Sequence, residues 1–261
     1  MIAWARYPYD GTRVLVTGGG SGIGRAIPRA YLEQGASVLV AGRNAEPLRE
    51  TVATFPTERV AVLAADMATE GGTAAAVVEA IDRWGGLDIV VASAGLSTPG
   101  TVDTLDDQQW TRMREINLDG LIRLARTSIP ALRATRGTFL AISSIAGFGG
   151  DWNQAGYNAT KGAVNALVQS MALDLGRDGV RVNAIAPAFT ATRLTQERLD
   201  DPVFRAALHD RLALDRAAEP ADIARAALFL TSPDAAYITG IVLPVDGGTT
   251  ASVGTPRPLA G

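Results

Sequence analysis

Arg13-Val-Leu-Val-Thr17 runs directly into Gly18-Gly-Gly-Ser-Gly-Ile-Gly24, and a helical pattern over 22–34 begins inside that run. A short, β-branched apolar run reads as a buried strand. The glycines behind it let the backbone turn sharply and approach a ligand closely. A helix N-terminus placed there offers free N–H groups and a positive dipole end, the chemistry that holds phosphates. Strand, glycine loop and helix in this order open a βαβ unit of the dinucleotide-binding kind.

The alternation continues along the chain. Strand runs stand at 13–17, 37–41, 59–64, 87–92, 138–143, 180–185 and 241–245, with helical patterns at 22–34, 73–84, 108–134, 154–175 and 220–230. Near-continuous apolar strands separated by helices imply right-handed crossovers and a parallel sheet covered on both faces. The expected fold is therefore α/β: a Rossmann-like, doubly wound parallel sheet of about seven strands. No proline- or glycine-rich linker and no repeat divides the chain, so 1–261 reads as one domain, with an irregular tail over 249–261. Pro28 falls inside the first helical pattern, where it removes a donor and should bend the chain.

Composition narrows the function classes. Apolar residues make up 47% and charged residues 20%, with a net charge of −3, the balance of a globular protein without a basic nucleic-acid footprint. There is no cysteine, which removes disulfides, thiol nucleophiles and thiolate metal sites. His209 is the only histidine and lies in a helical stretch, so neither a multi-histidine metal site nor a serine–histidine triad is expected. The first residues lack the apolar core of a secretory signal, and no apolar run is long enough to span a bilayer. The reading is a cytoplasmic protein without a metal, a membrane anchor or a nucleic-acid partner.

Tyr157-Asn-Ala-Thr-Lys161 supplies the chemistry. Residues four apart share one face of a helix. A free tyrosine, with a pKa near 10, is a poor acid/base at neutral pH, and a neighbouring ammonium favours its phenolate. Such a group exchanges a proton with an alcohol or carbonyl oxygen. Ser143-Ser144 ends the fifth strand, and the C-terminal ends of parallel strands are where such sheets bind ligands. A hydroxyl there can hold a substrate oxygen.

These residues, in this order and spacing, make the chain from about Gly11 to Gly248 resemble the short-chain dehydrogenase/reductase family. The resemblance implies a catalytic set of Asn117, Ser144, Tyr157 and Lys161. Tyr157 would exchange the proton, Ser144 would hydrogen-bond the substrate oxygen, and Lys161 would lower the tyrosine pKa and hold the nicotinamide ribose. Asn117 would position a water linking Lys161 to solvent. The cofactor loop would comprise Gly18, Gly20, Ser21, Gly22, Ile23 and Gly24. Asp66, with Met67, would meet the adenine ring. Ser93, Ala94 and Gly95 stand where the family has Asn-Ala-Gly, and Pro187-Ala188 replaces its Pro-Gly. Thr192 matches the threonine that contacts the nicotinamide carboxamide, and Thr190 replaces an apolar residue whose backbone N–H is what the cofactor needs.

Three finer expectations follow. Gly42 occupies the end of the second strand, where NAD enzymes place a carboxylate, and Arg43 offers planar donors to a 2′-phosphate. NADP(H) is therefore the expected cofactor and NAD the alternative, because Ser21 stands where many NADP-binding relatives have a second basic residue. Ser144, Phe148, Trp152, Tyr157 and Phe189, with Ile145 and Leu194, are expected to line a mostly apolar substrate pocket. The helices over 108–134 and 154–175 carry more apolar positions than one sheet face needs, which, with the family resemblance, implies a homotetramer or homodimer. The expected function is hydride transfer between NADP(H) and a ketone or secondary alcohol, as a carbonyl reductase of a mostly apolar small molecule. An NAD-dependent alcohol or polyol dehydrogenase, a 3-oxoacyl thioester reductase and a non-catalytic dinucleotide sensor are the alternatives. Asp178, where acyl-carrier enzymes often have arginine, weighs against the thioester reading, and the intact four-residue set weighs against the sensor.

Overall fold

The computed structural model describes residues 5–193 and 195–254. Seven strands form one sheet: β1 (Arg13–Thr17), β2 (Ser37–Gly42), β3 (Val60–Ala64), β4 (Ile89–Ala92), β5 (Thr138–Ile142), β6 (Arg181–Pro187) and β7 (Val242–Val245). All pairings are parallel, in the spatial order β3-β2-β1-β4-β5-β6-β7. The expected doubly wound α/β sheet is the fold the chain adopts.

Alternation along each strand distributes the core to two faces. Val14, Val16, Val38 and Val40 join α1 (Gly22–Glu33), α2 (Ala45–Val52) and α9 (Pro220–Thr231) on one face. Leu15, Leu39, Phe139 and Ala141 join α3 (Glu70–Trp84), α5 (Gly120–Thr135) and α6 (Ala155–Leu175) on the other. Burial on both sides explains why these strands read as continuous apolar runs. The strand order reverses between β1 and β4, which opens a crevice beyond their C-terminal ends.

Several local expectations are corrected. The helix over 108–134 is α4 (Asp107–Arg114) and α5, joined by a widened π turn at Glu115–Asp119. A Cβ at Gly120 would run into the Met67 carbonyl, so glycine lets α5 start hard against the β3 loop. α3 starts at Glu70 rather than at 73, because the Thr69 hydroxyl caps it by accepting from Gly72 N–H at 3.0 Å. Pro28 is buried within α1, which runs on past it to Glu33. The short helices α2, α7 (Gln196–Asp200) and α8 (Pro202–Asp210) complete the set, α8 containing His209 as expected. No helix among the described residues is long and apolar enough to cross a membrane.

Candidate active site

The glycine loop and the β4 loop meet across the crevice. Gly18 has φ +72°, and a Cβ on it would lie 2.8 Å from Ala94 N and Cα. A side chain at Gly24 would strike the Gly18 carbonyl, and one at Gly22 (φ +48°) would approach Thr192 Cγ2 to 2.9 Å. Thr17 Oγ1 accepts from Ser93 N–H at 3.2 Å and Ala94 N–H at 3.3 Å, fastening the two loops together. Ser21 enters α1 in an extended conformation and makes no side-chain cap, so no side chain competes for the N–H groups of the first turn. Gly20, Ser21 and Ile23 complete the turn, and Gly20 packs on Pro47.

The four residues expected to be catalytic converge at the end of β5. Ser144 caps a short turn: its Oγ accepts from Ala146 N–H at 3.1 Å, which leaves its hydroxyl proton for another acceptor. A side-chain hydrogen bond joins Ser144 to Tyr157. Lys161 is buried, lies 5.6 Å from the centroid of the Tyr157 ring, and donates to the Ile142 carbonyl at 2.8 Å. Asn117, in the π turn, accepts from Leu96 N–H at 2.7 Å through Oδ1. Its Nδ2 donates to Leu96 O at 2.8 Å and to Thr160 Oγ1 at 3.0 Å. Both amide protons are thus committed, and the Asn117 side chain braces the β4 loop against α6. Gly95 lies between these groups: a Cβ there would stand 3.4 Å from Asn117 Oδ1 and 3.8 Å from Lys161 Nζ.

Electrostatics revise one expectation. Burial raises the Tyr157 pKa, the Ser144 hydrogen bond lowers it, and the nearby Asp151 charge raises it; the net shift is upward. The lowering expected from Lys161 is not found. That ammonium is itself destabilised by burial, which brings its pKa from 10.5 down to about 8. It remains a cation at neutral pH, tied to the backbone under the tyrosine ring.

The rest of the expected cofactor set lies at the ends of β2, β3 and β6 and on the loops that follow them. Arg43 is exposed just beyond β2, and its charge reaches Asp66. Asp66 follows β3, with Met67 buried beside it. Pro187 ends β6, and Thr190 is buried and bridged to Ala218. Thr195 Oγ1 donates to the Thr190 carbonyl at 2.7 Å and accepts from Thr192 N–H at 2.8 Å, which shapes this loop.

The aromatic pocket is looser than expected. Trp152 is 91% exposed and Phe148 49% exposed, so neither is packed into a closed cavity. Phe189 packs in a tilted arrangement against Phe204 of α8, with centroids 5.2 Å apart, and the Arg198 guanidinium lies over both rings. Ile145 begins the turn behind Ser144, and Leu194 lies outside the described residues. The other side of the mouth is polar: Ser97 Oγ donates to Gln154 Oε1 at 2.8 Å, and Asp151 carries a negative charge toward Tyr157.

A family model described as enoyl-(acyl carrier protein) reductase matches residues 18–250. The meso-2,3-butanediol dehydrogenase of Serratia marcescens is 35% identical over 249 residues, covering 95% of this chain and 98% of that protein. The chain belongs to the short-chain dehydrogenase/reductase family. The L-tagatose-forming galactitol 2-dehydrogenase of Cereibacter sphaeroides is also 35% identical, covering 92% of this chain and 96% of the relative. A crystal structure of a short-chain dehydrogenase/reductase, glucose/ribitol dehydrogenase, from Brucella melitensis superposes with a TM-score of 0.89 at 30% identity, covering 94% of this chain and 99% of that one. As a family member, the protein is an NAD(P)-dependent oxidoreductase acting on alcohol or carbonyl groups.

Against this short-chain dehydrogenase/reductase frame, four contributors escaped the sequence reading: Asp151, Thr160, Thr195 and Arg112. Arg112 and Thr160 act on partners 46 and 43 residues away, Thr195 shapes the loop five residues back, and Asp151 acts through its charge on Tyr157, parts that no local pattern marks. A compositional signal did exist for Lys161. It is the sole lysine among 24 lysines and arginines, so only here does the chain use a compact ammonium in place of a guanidinium.

Proposed function

We propose that this enzyme transfers hydride between NADP(H) and a neutral ketone or secondary alcohol, with Tyr157 exchanging the proton at the reacting oxygen. The observation that carries this reading is the buried Lys161 beneath the half-buried Tyr157 and Ser144 at the mouth of the glycine-lined crevice. The crevice fits a dinucleotide: Gly18, Gly22 and Gly24 let the loop close tightly on itself, on Ala94 and on Thr192 where any Cβ would clash, and the first turn of α1 has no side-chain cap. When bound, the nicotinamide ring gives or takes the hydride. The protein does the rest. Ser144 turns the hydroxyl it shares with Tyr157 toward the substrate oxygen and donates to it. Burial keeps Tyr157 protonated across the neutral range, the form that gives a proton to a carbonyl. Lys161 holds positive charge beneath the ring while that proton leaves. Asn117 keeps the β4 loop fixed to α6.

NADP(H) is the preferred cofactor because Gly42 leaves no carboxylate at the end of β2 and Arg43 stands exposed beside it. Asp66 would receive the adenine amino group. Phe148 and Phe189 suit an apolar flank of the substrate, while Asp151 disfavours an anionic one. A homotetramer belongs to the same reading, supported by the exposed Leu173 on α6 and Tyr237 before β7, and tested by mass in light scattering. The deciding experiment measures kcat/KM with NADPH and NADH over neutral and anionic ketones. NADPH with neutral ketones should lead, and Arg43→Ala should cost NADPH alone about 1–3 kcal/mol, the scale of a charge-assisted hydrogen bond. A higher value with NADH, or an equal loss for both cofactors, overturns the NADP(H) assignment.

A further inference from the structure

Arg112 lies on the outer helix α4, yet its guanidinium reaches across to the loop behind β3. Its Nη2 donates to Asp66 Oδ2 at 2.8 Å, and its Nη1 lies 3.5 Å from Glu115 Oε2 in the π turn. The other Asp66 oxygen, Oδ1, accepts from Ala68 N–H at 3.0 Å. A carboxylate has about four lone-pair positions, so one on each oxygen is fixed by the protein and one on each is left over. Each oxygen has a donor of its own, which stops the group from rotating. Burial works against the charge on Asp66, but the Ala68 N–H, the Arg112 hydrogen bond and the charges of Arg112 and Arg43 outweigh it and hold the carboxyl ionised.

This arrangement is more than a surface ion pair. An exposed pair between two long side chains contributes little, because both must be ordered to make it. Here Asp66 and Arg112 are each about one-third exposed, at 34% and 35%. Asp66 is already anchored by Ala68, and Arg112 is held from its far side by Glu115. The remaining lone pairs form an ionised acceptor of fixed direction beside β2 and β3, on the glycine-loop side of the crevice.

We propose that Arg112 is a positioning residue for cofactor recognition. By fixing Asp66 it makes the site discriminate a purine that presents an amino donor from one that presents a carbonyl. The proposal rests on the reading of Asp66 as the adenine contact. Arg112 touches no part of the cofactor and acts only through that carboxylate.

The test uses NADPH and its deamino analogue, in which hypoxanthine replaces adenine. Dissociation constants for both are measured by energy transfer from tryptophan to the reduced nicotinamide, for wild type, Arg112→Met and Arg112→Lys. The wild type should bind NADPH at least about tenfold more tightly than the analogue, the loss expected for one charge-assisted hydrogen bond. Arg112→Met should bring the ratio below about threefold, and Arg112→Lys should restore part of it, since an ammonium keeps the charge but not the planar fork. A wild type that binds both equally overturns the adenine assignment of Asp66. A wild type that discriminates, beside an Arg112→Met variant that keeps the full ratio, overturns the role of Arg112 alone. Equal weakening of both ligands, with the ratio intact, also overturns it, because that is the signature of a merely structural contact.

Discussion

Replacing Lys161 with methionine separates the stability of this fold from its chemistry. Burial lowers the pKa of the folded-state ammonium from 10.5 to about 8. The unfolded chain restores the ordinary value. Below pH 8 both states hold the proton, and the cost of the buried charge is constant. Between pH 8 and 10.5 the unfolded state keeps a proton that the folded state has released, so stability rises with pH. At about 1.4 kcal/mol per unit the whole interval amounts to about 3 kcal/mol, and pH 8 to 9.5 alone to about 2 kcal/mol. Lys161 is the only lysine, and arginine does not titrate here, so no other side-chain amine contributes to that slope. Tyr9, Tyr31 and Tyr157 are all shifted upward by burial and act in the opposite sense only at higher pH. Urea unfolding followed by tryptophan fluorescence, at fixed ionic strength between pH 7 and 9.5, should show the rise in wild type. Lys161→Met should lack it. The methionine leaves the Ile142 carbonyl unpaired, which changes the absolute stability of the variant but not its slope. Parallel curves for the two proteins would refute the argument that burial depresses this ammonium.

Three other substitutions probe the site. Tyr157→Phe should keep cofactor affinity while kcat falls by about 10²–10⁴-fold, the usual contribution of a general acid; a variant retaining a tenth of wild-type kcat ends the assignment. Gly18→Ala combines φ +72° with a Cβ only 2.8 Å from the Ala94 backbone. It should cost about 1–3 kcal/mol of stability and most of the cofactor affinity, and an unchanged thermal midpoint and NADPH titration would contradict the close approach. Asp151→Asn removes a charge that raises the Tyr157 pKa, so the pH profile of alcohol oxidation should move to lower pH; an unmoved profile removes Asp151 from the neighbourhood of the reacting oxygen.

What the sequence disclosed is what short-range physics writes into it. Strands such as 13–17 and 138–142 carry an apolar residue at nearly every position because both faces of the sheet are covered. The glycines of the first loop are visible because one backbone must pass against another. Helix α2 escaped notice because it is short and has a proline at its third position. The π turn was hidden within a continuous apolar pattern over 108–134, since the pattern records which residues face the core and not where the hydrogen-bond register slips. Trp152 misled for the same kind of reason. A large aromatic near the catalytic serine suggests a pocket wall, yet it stands 91% exposed on the loop before α6. The Arg112–Asp66 pair joins residues 46 apart on different elements, which no local rule foresees.

The Thr17 hydroxyl that fastens the β4 loop to the glycine loop has a consequence for how the chain folds. Its partners Ser93 and Ala94 lie 76 and 77 residues away, beyond three complete crossovers. A nascent chain that has produced only β1, α1 and β2 therefore owns every glycine of the first loop and the Ala41 carbonyl that accepts from Gly18 N–H at 2.8 Å, but not the β4 backbone against which Gly18 packs. Closing so long a loop is paid in entropy before any contact repays it, which makes parallel sheets of this kind slow to assemble. Nucleotide affinity should thus appear late during refolding, when β4 docks beside β1, and not when the first helix forms. Stopped-flow refolding in the presence of NADPH, with nicotinamide fluorescence read against helical ellipticity, would separate the two events in time.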